Sequence, residues 1–339
     1  MTSVTEKSQE PRVERPSVAR ARRYGVNSRY VPVLATLVLF GLMYGIGIAN
    51  YEGFSDTQIL LNIFIDNAHL LTVAVGMTFV ILSGGIDLSV GAVLALGTVI
   101  AAALLRAGWS PLLVIVVVLA VGALIGAAQG AIIHFFDIQP FIATLAGLFT
   151  ARGLAHLIST KSIPITDEFW QTTATERIQL GGFRISPSAL VAILIAIVAA
   201  LALAYTRFGR NTYAVGGNQQ SAGLMGLPVG RTRIGVYLLS GLCAALGGIL
   251  YSFETPTGYS LTAQGMELDA IAAVVIGGTL LTGGSGFLAG TVLGVLVLGL
   301  IQTIITFQGT LSSWWTKIVI GGLLFAFILL QRIVTRREP

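Results

Sequence analysis

Charge is what this sequence has least of. Aspartate, glutamate, lysine and arginine make up 10% of its 339 residues, against 55% hydrophobic. Soluble domains carry roughly a quarter charged residues, so the chain belongs in lipid. Cysteine is almost absent. Cys243 stands alone in an apolar run, which removes a disulfide framework and most thiolate metal sites and leaves a small packing residue. The lysines are Lys7, Lys161 and Lys317, and none closes a G-x-x-x-x-G-K-[ST] loop. The chain therefore has no P-loop with which to bind ATP. His69, His134 and His156 are dispersed, and neither metal-ligand spacing, a nucleophile elbow nor a zincin motif occurs. No catalytic residue, metal or cofactor is expected on this chain. Ionisable groups at membrane depth are also few, which argues against ion-coupled secondary transport.

What the sequence has is long apolar runs. Ten spans are expected: Val31–Asn50, Ile59–Leu82, Leu88–Leu105, Leu112–Phe135, Phe141–Ser159, Pro187–Tyr205, Ile234–Phe253, Leu268–Leu281, Phe287–Thr306 and Ile318–Leu330. Several approach the roughly 20 apolar residues that a bilayer-crossing helix needs. The eighth is short, as a broken or re-entrant helix would be. The expected architecture is an all-α polytopic membrane protein, with one transmembrane domain over 31–332 and polar tails at 1–30 and 333–339. On this topology fourteen of the twenty basic residues share one side with both termini, and five lie on the other. That bias puts both termini in the cytoplasm of a multi-pass inner-membrane protein. A pI near 9.6 therefore reflects topology and not a nucleic-acid partner, since no soluble domain exists to carry one. The loop at 160–186, with Pro164, Trp170 and mixed charges, faces outward. It is either a docking surface or a plain connector.

The stretch at 206–233 is polar and carries Arg207, Arg210, Arg231 and Arg233 with no acid. A short basic loop between two spans is held in the cytoplasm. Within it Asn218 suits the N-cap of a short helix, Gln219–Met225, which Gly226 and Pro228 would end. Ala222, Leu224 and Met225 would then form a small protruding face for a partner.

Two stretches resemble each other, Ser83–Gly91 (SGGIDLSVG) and Thr282–Gly290 (TGGSGFLAG), 199 residues apart. They suggest two pseudo-repeated halves with helices broken near 83–91 and 282–290. Glycine pairs between apolar runs are where membrane helices can be interrupted, and such segments often line a pathway; tight helix packing is the alternative. Gly84, Gly85, Asp87, Ser89, Gly277, Gly278, Gly283 and Gly284 are the candidate pathway residues. Asp87 is the acid expected at membrane depth, and with Ser89 it is also placed to cap the third helix. Arg152 interrupts the fifth span, where it needs carbonyl partners, a water-filled cavity or a route to the interface. Asn62, Asp66, Asn67 and His69 on the second span can offer hydrogen bonds to a polyhydroxyl solute, although solvation near the outer end would also explain them, and Asn62 and Asn67 are the two carried forward. With Phe79, Phe141 and Thr144 they are the candidate substrate contacts.

Gly76–Gly91 (GMTFVILSGGIDLSVG), Phe141–Leu157, Phe208–Val229 and Glu267–Gly286 (ELDAIAAVVIGGTLLTGGSG) together resemble the ribose/xylose-type permeases of ABC sugar importers. The likeness runs in order from about Gly53 to Arg332. Within that family, Gly309–Gly321 (GTLSSWWTKIVIG), Ser162–Ile165 and GGTLLTGG are most similar to one permease of the galactofuranose importer. The resemblance implies a translocation subunit fed by an external sugar-binding protein. It also implies a cytoplasmic ATPase that holds ATP and Mg, and a second permease, non-identical in the galactofuranose case. Gly216, Gly217 and Asn218 match the family's GGN, and Ala222 and Gly226 its A-x-x-x-G coupling core. Ser221 and Gly223 depart from the alanine and longer side chain more usual beside Ala222. A self-sufficient transporter or channel is the rival reading, and it requires sugar flux without ATP.

Overall fold

In lipid every backbone polar group must be bonded internally, so apolar runs resolve into helices. The computed structural model describes residues 31–310, 312 and 314–335. The tail expected at 1–30 lies outside the described residues. Of that expected at 333–339, only 333–335 are described, and they continue the last helix.

The long helices are α1 (Val31–Asn50), α5 (Pro111–Phe135), α6 (Pro140–Ile158), α8 (Pro187–Tyr205), α11 (Val229–Glu254), α13 (Leu288–Gln308) and α14 (Trp314–Thr335), and all seven can cross a bilayer. A further crossing is a bent pair, α2 (Thr57–Asp66) and α3 (Ala68–Leu82), angled by 63°. Two shorter helices, α4 (Val90–Arg106) and α12 (Met266–Ile276), complete a polytopic helical bundle compatible with ten passages. The remaining helices, α7 (Glu168–Thr175), α9 (Arg207–Gly217) and α10 (Gln219–Leu224), lie in the two long connections. Helices α9 and α10 lie together at one end of the bundle, the α10 end, between α8 and α11.

Helix α3 is the centre of the bundle: every residue from Leu70 to Leu82 is buried. It packs against α11, where Gly76 faces Cys243 so closely that a β-carbon on the glycine would lie 2.8 Å from the cysteine's own. Cys243 is thus a packing residue. On the far side of α11, Gly122, Gly126 and Gly130 of α5 let the two backbones touch; a β-carbon on Gly126 would sit 2.2 Å from the Tyr237 carbonyl oxygen. Small residues at four-residue spacing are the usual means of close packing where lipid offers no hydrophobic drive. Helices α1, α5, α6, α8 and α14 surround this core and expose apolar side chains such as Leu42, Val116, Phe149, Leu194 and Phe325, as a lipid-facing shell does.

The all-α polytopic architecture stands as expected, and the structure adds three features to it. The run Ile59–Leu82, expected as one continuous span, bends at Asn67, in addition to the expected interruption near 83–91, where the chain is irregular between α3 and α4. At the bend the Asn67 side-chain amide donates to the Ile63 carbonyl (2.9 Å), bonding an oxygen at the end of α2 where the helix turns into α3. The chain is also not purely helical. Strand β1 (Ile163–Pro164) pairs with β4 (Thr257–Gly258), and β2 (Ile178–Leu180) with β3 (Phe183–Ile185), all antiparallel. Finally, the connection at 160–186 is a folded element. Trp170 of α7 is fully buried, donates its indole N–H to the Ser252 hydroxyl (2.9 Å) and lies 4.7 Å from the Phe253 ring.

Candidate functional site

The basic loop folds as two helices. Thr206 caps α9, its hydroxyl accepting from the Gly209 N–H (3.1 Å). One extended residue, Asn218, then separates α9 from α10, and its side-chain oxygen accepts from the Ser221 N–H (2.8 Å). Gly226 follows with φ +77°, a left-handed conformation that stops the helix. Asn218 and Gly226 therefore bound α10 as their residue types dictate. The protruding face is smaller than expected. Leu224 is 90% exposed and Met225 69%, but Ala222 is fully buried. Its N–H donates to the Asn218 carbonyl and its own carbonyl accepts from the Leu227 N–H. Ala222 holds α10 to its base and contributes nothing to the outward surface. The four arginines of the loop sit at this same end.

Between α3 and α4 the chain is irregular, and Asp87 organises it. One carboxylate oxygen accepts from the Ser89 N–H (2.9 Å) and the Ser89 hydroxyl (2.6 Å); the other accepts from the Ser240 hydroxyl of α11 (2.7 Å). Asp87 is 1% exposed. A buried carboxylate survives when donors satisfy it, and the same bonds close the turn leading into α4. Asp87 and Ser89 thus form the entry turn of α4, while Ser240, 153 residues away, adds a tie that no sequence signal marks. Thr144 of α6 is fully buried and points its hydroxyl at the Ile86 carbonyl of the same turn (3.3 Å). Gly85 lies directly under Tyr237, whose hydroxyl would be 2.3 Å from an added β-carbon.

The second interruption has two parts. Before α12, the stretch around Ser260–Gly265 runs irregularly inside the bundle: Ser260 is fully buried, and the Ala263 carbonyl abuts Gly91 at the start of α4. Arg152 of α6 donates to the Ser260 (2.6 Å) and Thr262 (2.8 Å) carbonyls. It satisfies unwound backbone, the most economical use of a cation at that depth. After α12 comes the glycine-rich turn. Gly277 and Gly278 serve packing, Gly277 against Gly290 and Gly278 against Pro32 of α1. Gly283 and Gly284 instead reach the first interruption, with the Gly284 N–H donating to the Leu82 carbonyl (2.9 Å).

The candidate substrate contacts do not come together. Asn62 is exposed and accepts from the Gln58 side-chain amide (3.0 Å). Asn67 is consumed by the α2–α3 bend. Phe79 is fully buried, 5.9 Å from the Phe208 ring and stacked on it, so it is closed to a solute in this conformation. Phe141 is half exposed on the outer surface of α6. A recess of about 590 Å³ lies elsewhere, where α13 meets α14, lined by Gln302, Thr306, Trp314, Thr316 and Lys317 among others. Lys317 is anchored there by both carboxylate oxygens of Asp269 in α12 (2.6 and 2.8 Å).

The bundle thus has two irregular interruptions and an exposed, capped short helix, and comparison with known proteins shows its family. The family of branched-chain amino acid transport system permease components matches over residues 59–328. The chain belongs to this permease family. The inner membrane ABC transporter permease protein YjfF of Escherichia coli (strain K12) is 48% identical to the permease over 309 residues, covering 91% of this chain and 93% of that one. The fructose import permease protein FruG of Bifidobacterium longum (strain NCC 2705) is 40% identical over 324 residues (93% and 95%). The ribose import permease protein RbsC of Bacillus subtilis (strain 168) is 37% identical over 309 residues (91% and 94%). No solved structure matches the permease.

Proposed function

We propose that this permease is a transmembrane subunit of a binding-protein-dependent ABC importer for a monosaccharide, and that the monosaccharide is galactofuranose or a close relative. The observation that carries the first part is α10: a capped helix that stands out from the bundle with Leu224 and Met225 almost free of other contacts. Large apolar side chains left exposed on a polar, arginine-rich surface call for a partner. In this reading the α10 end faces the cytoplasm, and α10 seats in a groove of an ATPase subunit that binds ATP and Mg. An external sugar-binding protein docks at the opposite end. A second permease, non-identical, completes the pathway. Closure of the ATPase on ATP displaces α10, and the bundle alternates between outward and inward access. Import permeases for fructose and ribose among the relatives support a sugar as cargo. The likeness of Gly309–Gly321 to a galactofuranose permease supports the particular sugar, and Trp314, Thr316 and Lys317 of that segment line the 590 Å³ recess, which has room for one monosaccharide.

The test is reconstitution in vesicles with each partner omitted in turn, using galactose at mutarotational equilibrium, ribose and fructose as competing cargoes. Uptake that requires ATPase, ATP and binding protein, and that prefers the furanose of galactose, supports the proposal. Sugar flux through this chain alone, without ATP, would establish the secondary transporter instead.

A further inference from the structure

Three glycine-bearing segments far apart in sequence meet at one point in the bundle, through Gly84, Gly216–Gly217 and Gly283–Gly284. Gly84–Gly85 follow α3, Gly216–Gly217 end α9, and Gly283–Gly284 precede α13. A β-carbon on Gly216 would lie 1.8 Å from the Leu82 carbonyl oxygen, one on Gly283 2.8 Å from the Gly84 Cα, and one on Gly284 2.7 Å from the Gly217 Cα. The three backbones are in van der Waals contact, and the Gly284 N–H bond to the Leu82 carbonyl closes the contact between the two interruptions.

A separate bond fixes α9 to the same place. The Tyr213 hydroxyl, one turn before Gly216–Gly217, donates to the Gly286 carbonyl at 2.9 Å. Tyr213 is partly buried, and that burial pushes its phenol above the ordinary range, so the hydroxyl keeps its proton and remains a donor. Only Asn218 intervenes between this clamped helix and α10. On the other side of the junction stand the Asp87 turn into α4 and the turn into α13. A displacement of α10 therefore has a direct covalent and packed route to both interruptions at once.

We propose that this glycine junction is the point through which movement of α10 reaches the two interrupted segments together, with Tyr213 as its positioning residue. The inference rests on the reading of α10 as the ATPase contact. Two discrete arrangements of a packed element, biased from one end, are what such transmission requires.

The experiment uses the assembled importer in nanodiscs with Cys243→Ala and Leu281→Cys, the latter carrying an environment-sensitive fluorophore beside the second interruption. ATP, Mg and vanadate are added to trap the closed ATPase, and the amplitude at position 281 is read; no sugar is needed. The parent is expected to respond. Tyr213→Phe keeps the ring and is expected to attach the ATPase normally, yet to lower the amplitude by shifting the equilibrium behind it about fivefold toward the resting state, the factor that loss of one hydrogen bond of ~1 kcal/mol gives. Gly216→Ala, which forces the junction apart, is expected to do the same, whereas Gly45→Ala in α1, with open space around it, keeps the parental amplitude. A parent that attaches the ATPase but gives no response, or either folded variant responding at full amplitude, overturns the proposal. So does a Tyr213→Phe protein that no longer assembles, since the hydroxyl would then serve folding. Failure of the ATPase to attach even to the parent overturns the coupling reading itself.

Discussion

Asp87 shows how single residues decide this structure. It is buried with three donors converging on it, from Ser89 twice and from Ser240. Asp87→Ala strands those donors and opens the entry turn of α4, and should cost about 2–4 kcal/mol, read as a lower melting temperature in detergent. Ser240→Ala removes one donor and leaves the other two, so about 1 kcal/mol is expected. The expectation that Asp87 and Ser89 cap α4 is met only in position: Ser89 stands at the N-cap, but neither side chain accepts from a first-turn N–H, and Asp87 takes its donors from Ser89 and Ser240 instead. The part of Ser240 was not legible, because nothing local distinguishes a serine that faces a carboxylate from one that bonds its own helix. Arg152 is the converse case: the sequence showed a cation needing partners, and only the fold shows that those are the Ser260 and Thr262 carbonyls.

Among the elements, α10 has the sharpest consequences. Leu224 is 90% exposed, and burying a leucine stabilises an interface by roughly 1.5–3 kcal/mol. Leu224→Ala should weaken ATPase attachment about tenfold while leaving the melting temperature of the isolated chain unchanged, as titration of the ATPase against nanodiscs would show. Ala222→Leu should act differently. Its side chain would be forced into a fully packed position, so α10 itself would be displaced and both attachment and the local fold would suffer. The caps of α10 could be read in advance because Asn218 and Gly226 act through local backbone chemistry. The inward turn of Ala222 could not, since a six-residue helix is too short for its periodicity to declare a face. The bend at Asn67 was hidden too: the run Ile59–Leu82 is apolar enough to read as one span, and nothing in it marks the point where α2 turns into α3.

For the molecule as a whole, the distribution of arginines predicts a testable orientation. With Cys243 replaced by alanine, Leu224→Cys should react with a membrane-impermeant maleimide in inside-out vesicles and not in right-side-out ones. Phe169→Cys, on the exposed side of α7, should show the reverse. The succession of apolar helices was readable because lipid demands them, although among the described residues seven, or eight with the bent pair, are long and apolar enough to cross a bilayer. What could not be read was how the crossings meet. Gly84, Gly216 and Gly283 are three unremarkable glycines in a chain with 41 of them, and only tertiary packing puts them in contact.

The connection between α6 and α8 is pinned at its centre by Trp170, stitched to the segment after α11 by the β1–β4 pair, and held to α2 by the Gln58 side-chain amide, which accepts from the Arg184 N–H and donates to the Arg184 carbonyl. Under the proposed import role, a delivering protein landing there would meet a preset relief and not a strand of loose chain. Little motional freedom is then surrendered on contact, so such an encounter can be brief and reversible without being imprecise, as repeated cargo delivery demands.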